Sequence, residues 1–281
     1  MLIDMHTHLI DYKTEMSDHV KSDIRRCSIS EKLWDYNEED FILDTQPADK
    51  VFVFGIRAQA TGWFSDNERV AKFARTDPKR YVYVASIDPL DKDFMEQLAY
   101  VHTHLKAKMI KLGPIYQGVH PLDDKYRQIY AYCQQHGLPI ITHMAATFAS
   151  GVPMEYARPV IMDRVACEYP RLKIILAHMG HPWEGEAITV IRKQANVYAD
   201  ISALHYRPWQ FYNSMRLLDE YGAQEKVFFG SDYPAATTAA TLAGLRNVNA
   251  LLEGTALPRV SQELIEGIIH RNPIEILEID H

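Results

Sequence analysis

Short β-branched runs alternate with helical periodicity along the whole chain. The runs fall at 2–4, 51–56, 81–87, 109–112, 139–143, 173–178, 196–202 and 226–231. Most neighbours are about 30 residues apart, the size of one strand–helix unit with its loop. Between them, 67–75 reads as a helix stopped by Asp77 and Pro78. A second helix over 125–136 ends at Gly137, which suits a left-handed cap, and a third over 158–168 ends before Pro170. Eight strand–helix repeats predict an α/β chain folded as a (β/α)8 TIM barrel. A doubly wound open sheet is the alternative. It calls for a glycine-rich loop after the first strand, where this chain has His6-Thr7-His8.

The first gap is the exception. Residues 9–50 are acidic and weakly periodic, and they read as an insertion after strand 1: a lid over the barrel mouth or a surface decoration. No Pro/Gly/Ser linker divides the rest, so 1–281 is expected to be a single barrel. Of the 281 residues, 47% are hydrophobic and 24% charged, as in a packed globular chain. The net charge of −7 gives no basic footprint for nucleic acid or anionic lipid. Cys27, Cys133 and Cys167 are scattered and odd in number, which fits a reducing compartment better than a disulfide scaffold. No run reaches the roughly 18 apolar residues of a membrane span, and Lys and Arg are missing ahead of the first apolar residues, so no signal peptide is read. A cytoplasmic protein is the expectation.

The polar residues that interrupt this pattern fall at the ends of strands. His6 and His8 follow the first, Arg57 the second and Asp232 the eighth; Lys111 closes the fourth, His143 the fifth and His178 the sixth. In a barrel these ends open onto one face. Side chains two apart on a strand point the same way, so His6 and His8 present two imidazoles together. With His143, His178 and Asp232 they make five metal-type residues converging on one place, which predicts a metal site. Lys111 has three readings: a carboxylated bridge between two metals, an anion binder, or a structural partner of a carboxylate. His120, His181 and His205 lie in loops at the same face, as do Trp63, Trp183 and Tyr206. His19, His102, His104, His136, His270 and His281 read as solvated or capping residues.

These motifs together resemble the amidohydrolase superfamily, in particular its amidohydrolase-related (amidohydrolase 2) group. That group holds lactonases and other hydrolases beside decarboxylases of the aminocarboxymuconate-semialdehyde and resorcylate type. The resemblance runs through Ile3-Asp4-Met5-His6-Thr7-His8, 67–78, Ile110-Lys111-Leu112 and Gly137 to His143. It continues through Ala177-His178-Met179-Gly180-His181-Pro182-Trp183, 196–200, Gly230-Ser231-Asp232-Tyr233-Pro234 and Asn272-Pro273. It implies one divalent metal, most often zinc, held by His6, His8, His143 and Asp232. It gives His178 an acid/base or carbonyl-polarising role, and it implies a homodimer in many members. After the strand-four Lys and Leu the group often has histidine. Here Gly113 stands there, and the extra room is expected to admit a larger group.

The leading functional expectation is metal-assisted hydrolysis of a lactone, amide or ester. Asp232 and His178 are the catalytic residues, and Arg57, Lys111 and Trp183 bind a small, carboxylated substrate. The alternative is non-oxidative decarboxylation of an aromatic or unsaturated acid with the same metal ligands. A silent ligand-binding barrel or a related nuclease fits less well, the latter because no Lys/Arg cluster accompanies the strand ends.

Overall fold

The computed structural model describes residues 1–280; His281, read as solvated, lies outside them. Each apolar run forms a strand: β1 Ile3–His8, β2 Lys50–Phe54, β3 Tyr81–Ser86, β4 Met109–Leu112, β5 Ile140–His143, β6 Ile174–Ala177, β7 Val197–Asp200 and β8 Val227–Phe228. Consecutive strands pair in parallel in chain order. The two edges then meet. Met5 N–H donates to the Phe229 carbonyl at 3.1 Å, and His8 N–H to the Tyr233 carbonyl at 2.8 Å. Chain-order pairing with joined edges is the TIM barrel and excludes the doubly wound sheet.

Alternation sorts the strand residues. Ile3, Met5, Phe52, Phe54, Val82, Val84, Met109, Ile141, Ile175 and Phe228 fill the barrel. Val51, Val53, Ile110, Ile140, Leu176 and Ala199 face the helical shell. Both faces are therefore apolar, which is why the strands read as continuous rather than alternating runs. The predicted helices form as Asn67–Ala74, Asp124–His136 and Ile161–Glu168. Asp123 caps the second, and Gly137, at φ 66°, ends it. Leu277 and Ile279, after the short helix Pro273–Ile276, join the interior cluster and shut the N-terminal end of the barrel.

Residues 9–50 fold into the helices Asp18–Arg26 and Glu38–Asp44 with a short 3-10 turn between them. Ile10, Met16, Val20 and Ile24 pack with Ile56, Trp63 and Ile115 from the top loops. Asp23 accepts from the Ser150 amide at 2.7 Å, and Arg26 donates to the Phe148 carbonyl at 2.8 Å, so the segment is pinned to the loop after β5. Among the described residues no helix is long and apolar enough to cross a membrane.

Candidate active site

The inner face of the barrel ends in a polar layer. Lys111 is two residues beyond Met109, His143 two beyond Ile141 and Asp200 two beyond Tyr198, so each points inward above an apolar layer. On β1 simple alternation would bring Thr7 inward with Ile3 and Met5. A bulge intervenes: Asp4 lies opposite Val51 and Thr7 opposite Val53, three steps against two. It turns His6 and His8 to the inner face, where both rings meet Phe54. His178 and Asp232 stand just past β6 and β8 in left-handed backbone, at φ 62° and 65°. Such backbone is costly for non-glycine residues and concentrates at functional sites. Buried Asp4 secures the second turn by accepting from the Ser231 amide at 2.9 Å and the Thr238 hydroxyl at 2.6 Å.

His6 Nε2, His8 Nε2 and Asp232 Oδ1 form a triangle with every edge 3.3 Å. A tetrahedral ion roughly 2.0–2.1 Å from each donor sets donors about 3.3–3.4 Å apart. His6, His178 and Asp232 also offer ligand atoms within 4.8 Å of one another. His143 Nδ1 reaches this group through His178 Nε2, at 3.1 Å. Hydrogen bonds aim the lone pairs inward. His6 Nδ1–H donates to Asp200 Oδ2 at 2.8 Å, leaving Nε2 bare, and His143 Nε2–H donates to the Ala145 carbonyl at 3.1 Å, leaving Nδ1 bare. Bare nitrogens on His6 and His143 beside His8 and the Asp232 carboxyl make a donor set that fits a divalent cation. Lys111 Nζ is 3.3 Å from His6 Nε2 and lies over the Phe54 ring.

Burial pushes His6, His8, His143 and His178 well below the ordinary imidazole value, and Lys111 adds to it, so all four are neutral at pH 7. Burial also lowers Lys111 to about 8 against the pull of Asp232 and Asp200. His181 is pushed down to about 4 by burial and then by Arg207. In the unfolded chain these five histidines take protons near pH 6.5, while in the folded one they stay neutral far lower. Three carboxyls oppose this without a cation: burial raises Asp4 to about 6, Asp232 to about 8, and Asp200 also upward. Among these residues five protons favour the unfolded chain against at most three favouring the native one, and elsewhere the lowered His102 and His205 offset the raised Asp88 and Glu184. Stability of the ion-free protein is therefore expected to fall as pH drops from about 6.5 toward 4. Urea midpoints near pH 7.5 and pH 5 check this; a higher midpoint at the lower pH would mean that the carboxyls dominate.

Above the donors opens a cavity of about 850 Å³, lined by His8, Lys111, His143, His178 and Asp232 at its floor. Trp34, Trp63, Tyr116, Phe148 and Tyr206 wall it, and His181, His205 and Arg207 reach it. The 9–50 segment contributes Cys27, Ile29, Leu33 and Trp34.

Three expectations do not match this placement. Arg57 is absent from the lining; its guanidinium is tied to Asp91 at 2.8 Å and to the Ser65 carbonyl at 3.2 Å. Trp183 is also absent from it, its ring lying under Arg158. The room beside Gly113 is already filled: a Cβ there would meet the Tyr116 ring at 3.2 Å, and that ring stands edge-on to His143. His120 packs on Tyr156 rather than lining the cavity. Sequence reasoning missed Asp200, Ser202 and Arg207. The signals for Asp200 were its place at the end of a strand, like the other site residues, and its membership of the 196–200 segment of the resemblance.

The amidohydrolase family model matches residues 3–279. A comparison with curated proteins found no match. Solved structures share the fold. A TIM-barrel protein of Bordetella bronchiseptica is similar at 21% identity and TM-score 0.73, over 99% of both chains. A probable 2-pyrone-4,6-dicarboxylic acid hydrolase of Acinetobacter baumannii, with citric acid bound, is similar at 13% identity and TM-score 0.68, over 99% of both chains. A dihydroxybenzoic acid decarboxylase of Polaromonas sp. JS666, with manganese and 2-nitroresorcinol bound, is similar at 14% identity and TM-score 0.65, over 99% of this chain and 96% of that one. With the family model spanning nearly its whole length and His6, His8, His143 and His178 gathered at one barrel end, this chain belongs to the amidohydrolase family.

Proposed function

We propose that the chain is a metal-dependent hydrolase that splits a lactone, amide or ester bond of a small carboxylated substrate. The observation that carries this reading is the 3.3 Å triangle of His6, His8 and Asp232 at the floor of the cavity. His6, His8 and Asp232 would hold one divalent ion, with His143 and His178 beside them. Zinc suits a set of imidazoles and one carboxylate, although the Polaromonas relative carries manganese. When bound, such an ion supplies Lewis-acid polarisation of a substrate oxygen and makes water more acidic. The attacking water gives a proton to His178 Nε2 as its oxygen bonds to the carbonyl carbon. His178 returns that proton to the leaving oxygen or nitrogen as the scissile bond breaks. Asp232, which lines the cavity, orients the water.

Lys111 and Arg207 are the lysine and arginine of the lining, and they take the carboxylate-binding role expected of Arg57. Arg207 lies over the Tyr206 ring at 4.6 Å, and aromatic walls on both sides suit a flat, unsaturated acid. Arg207→Ala is expected to raise KM about tenfold with kcat little changed, the size of one charge-assisted hydrogen bond. A fall in kcat at constant KM would count against substrate anchoring.

Buried Lys111 beside the donors favours a second reading, decarboxylation. Its ammonium can hold a departing carboxylate against the cluster while His178 delivers a proton to carbon. A panel of lactones, N-acyl compounds, hydroxybenzoic acids and unsaturated dicarboxylic acids in 18O-labelled water separates the two. Label in the product carboxyl supports hydrolysis. Release of CO2, with solvent hydrogen at carbon and no label in the product, overturns it.

A further inference from the structure

One buried carboxylate stands behind two of the site histidines. Asp200 Oδ2 accepts from His6 Nδ1 at 2.8 Å. Its Oδ1 accepts from the backbone N–H of His178 and of Ser202, both at 3.0 Å, and from the Ser202 hydroxyl. Four donors converge on Asp200, so it has only acceptor positions to offer and is ionised. The single Ser202 hydroxyl proton is thereby committed to Asp200. Ser202 Oγ also lies 2.7 Å from His178 Nδ1, and with its proton spent it can only accept there. The Nδ1 of His178 must carry the hydrogen, which leaves Nε2 bare. Nε2 faces His143 Nδ1 at 3.1 Å, itself bare because Nε2 of His143 donates to the Ala145 carbonyl. Two lone pairs facing each other are unfavourable on their own, so the arrangement is imposed from behind.

We infer that Ser202 is a positioning residue that fixes the tautomer of His178: Asp200 acts on His6 directly and on His178 through the Ser202 hydroxyl. No proton moves along the chain. The Ser202 hydrogen stays toward Asp200 and the Nδ1 hydrogen toward Ser202, so Nε2 alone exchanges protons with substrate. If the hydroxyl is removed, nothing holds the hydrogen on Nδ1. The ring is then better satisfied with the hydrogen on Nε2, donated across 3.1 Å to His143, and the base of the reaction is lost.

The tautomer consequence stands on hydrogen bonds alone; the catalytic consequence rests on the proposed role of His178. The test uses the full chain with 15N-labelled histidine. In the metal-free wild type, long-range nitrogen–proton correlation is expected to show the His178 hydrogen on Nδ1. In Ser202→Ala it is expected on Nε2, and Ser202→Thr, which keeps a hydroxyl, is expected to restore the wild-type pattern. Zn²⁺ affinity should fall only about threefold in Ser202→Ala, whose hydroxyl is a second and longer contact of His6 Nδ1 at 3.2 Å, and about 10- to 100-fold in Asp200→Asn, which takes the charge from the 2.8 Å acceptor. With a turned-over substrate, Ser202→Ala should lose about 10- to 100-fold in kcat at nearly constant KM. A wild-type His178 protonated on Nε2, or a tautomer unchanged in Ser202→Ala, overturns the inference even if one variant fails to fold. A tautomer that inverts while kcat holds supports the role of Ser202 and overturns the acid/base assignment of His178.

Discussion

Asp232→Asn is expected to lower turnover by about a thousandfold and to strip most of the divalent metal from the purified protein. Asp232 is the one carboxylate in the 3.3 Å donor triangle, and its charge offsets part of the cation that the imidazoles cannot. The substitution isolates that charge well. Asp232 sits at φ 65°, a region that asparagine adopts as readily as aspartate. Its backbone N–H donates to the His6 carbonyl at 2.8 Å, and the Ala235 N–H donates to the Asp232 carbonyl at 2.8 Å; neither contact involves the carboxylate. The turn should therefore survive, and a loss of activity will report the lost charge rather than a misfolded loop. Asp232→Ala would confuse the two, because alanine pays the full left-handed penalty. Metal content per chain and kcat/KM measured on the same preparation check the prediction. Full metal occupancy with activity within threefold of wild type would remove Asp232 from both roles.

The barrel was legible because its strands are buried on both faces. Each is a dense apolar run, and the polar residue that ends it stands out against that background. The same contrast exposed His6, His8, Lys111, His143, His178 and Asp232, each beside an apolar strand. What lay hidden was partnership across the barrel. Nothing local to Asp200 says that it supports His6, 194 positions away. Ser202, beyond the strand end, looks like any loop serine until its hydroxyl is seen between Asp200 and His178. Arg57 misled for the converse reason. It follows a strand as the site residues do, but the short ribbon Arg57–Ala58 with Trp63–Phe64 carries it sideways to Asp91. The sequence likewise offered no view of Tyr116 folding back into the space beside Gly113, since that depends on the helix turn Pro114–Gln117 packing over His143.

Gly180→Ala is expected to be among the more damaging single methyls in the top loops. Gly180 closes the turn that begins at His178, at φ 71°, a conformation that costs a non-glycine residue about 1 kcal/mol. The larger cost is steric. A Cβ at this position would lie 2.4 Å from the Pro159 ring and 2.9 Å from the Ala187 Cβ, and neither neighbour is the free end of a flexible chain. Pro159 precedes the helix Ile161–Glu168, and Ala187 is buried in the helix Glu184–Lys193, so relief requires one helix to shift. Overpacking of this kind adds roughly 1–3 kcal/mol, for a total near 3 kcal/mol and, in a chain of 281 residues, a drop in Tm of roughly 5 °C. Gly137→Ala supplies the control. It has a similar φ of 66° but nothing within 4 Å of the new methyl, so about 1 kcal/mol is expected there. Thermal melts of the two variants separate backbone conformation from contact. Equal losses would mean that the turn yields easily at Gly180, and with it that the left-handed backbone under His178 is not held rigidly by the packing of these helices.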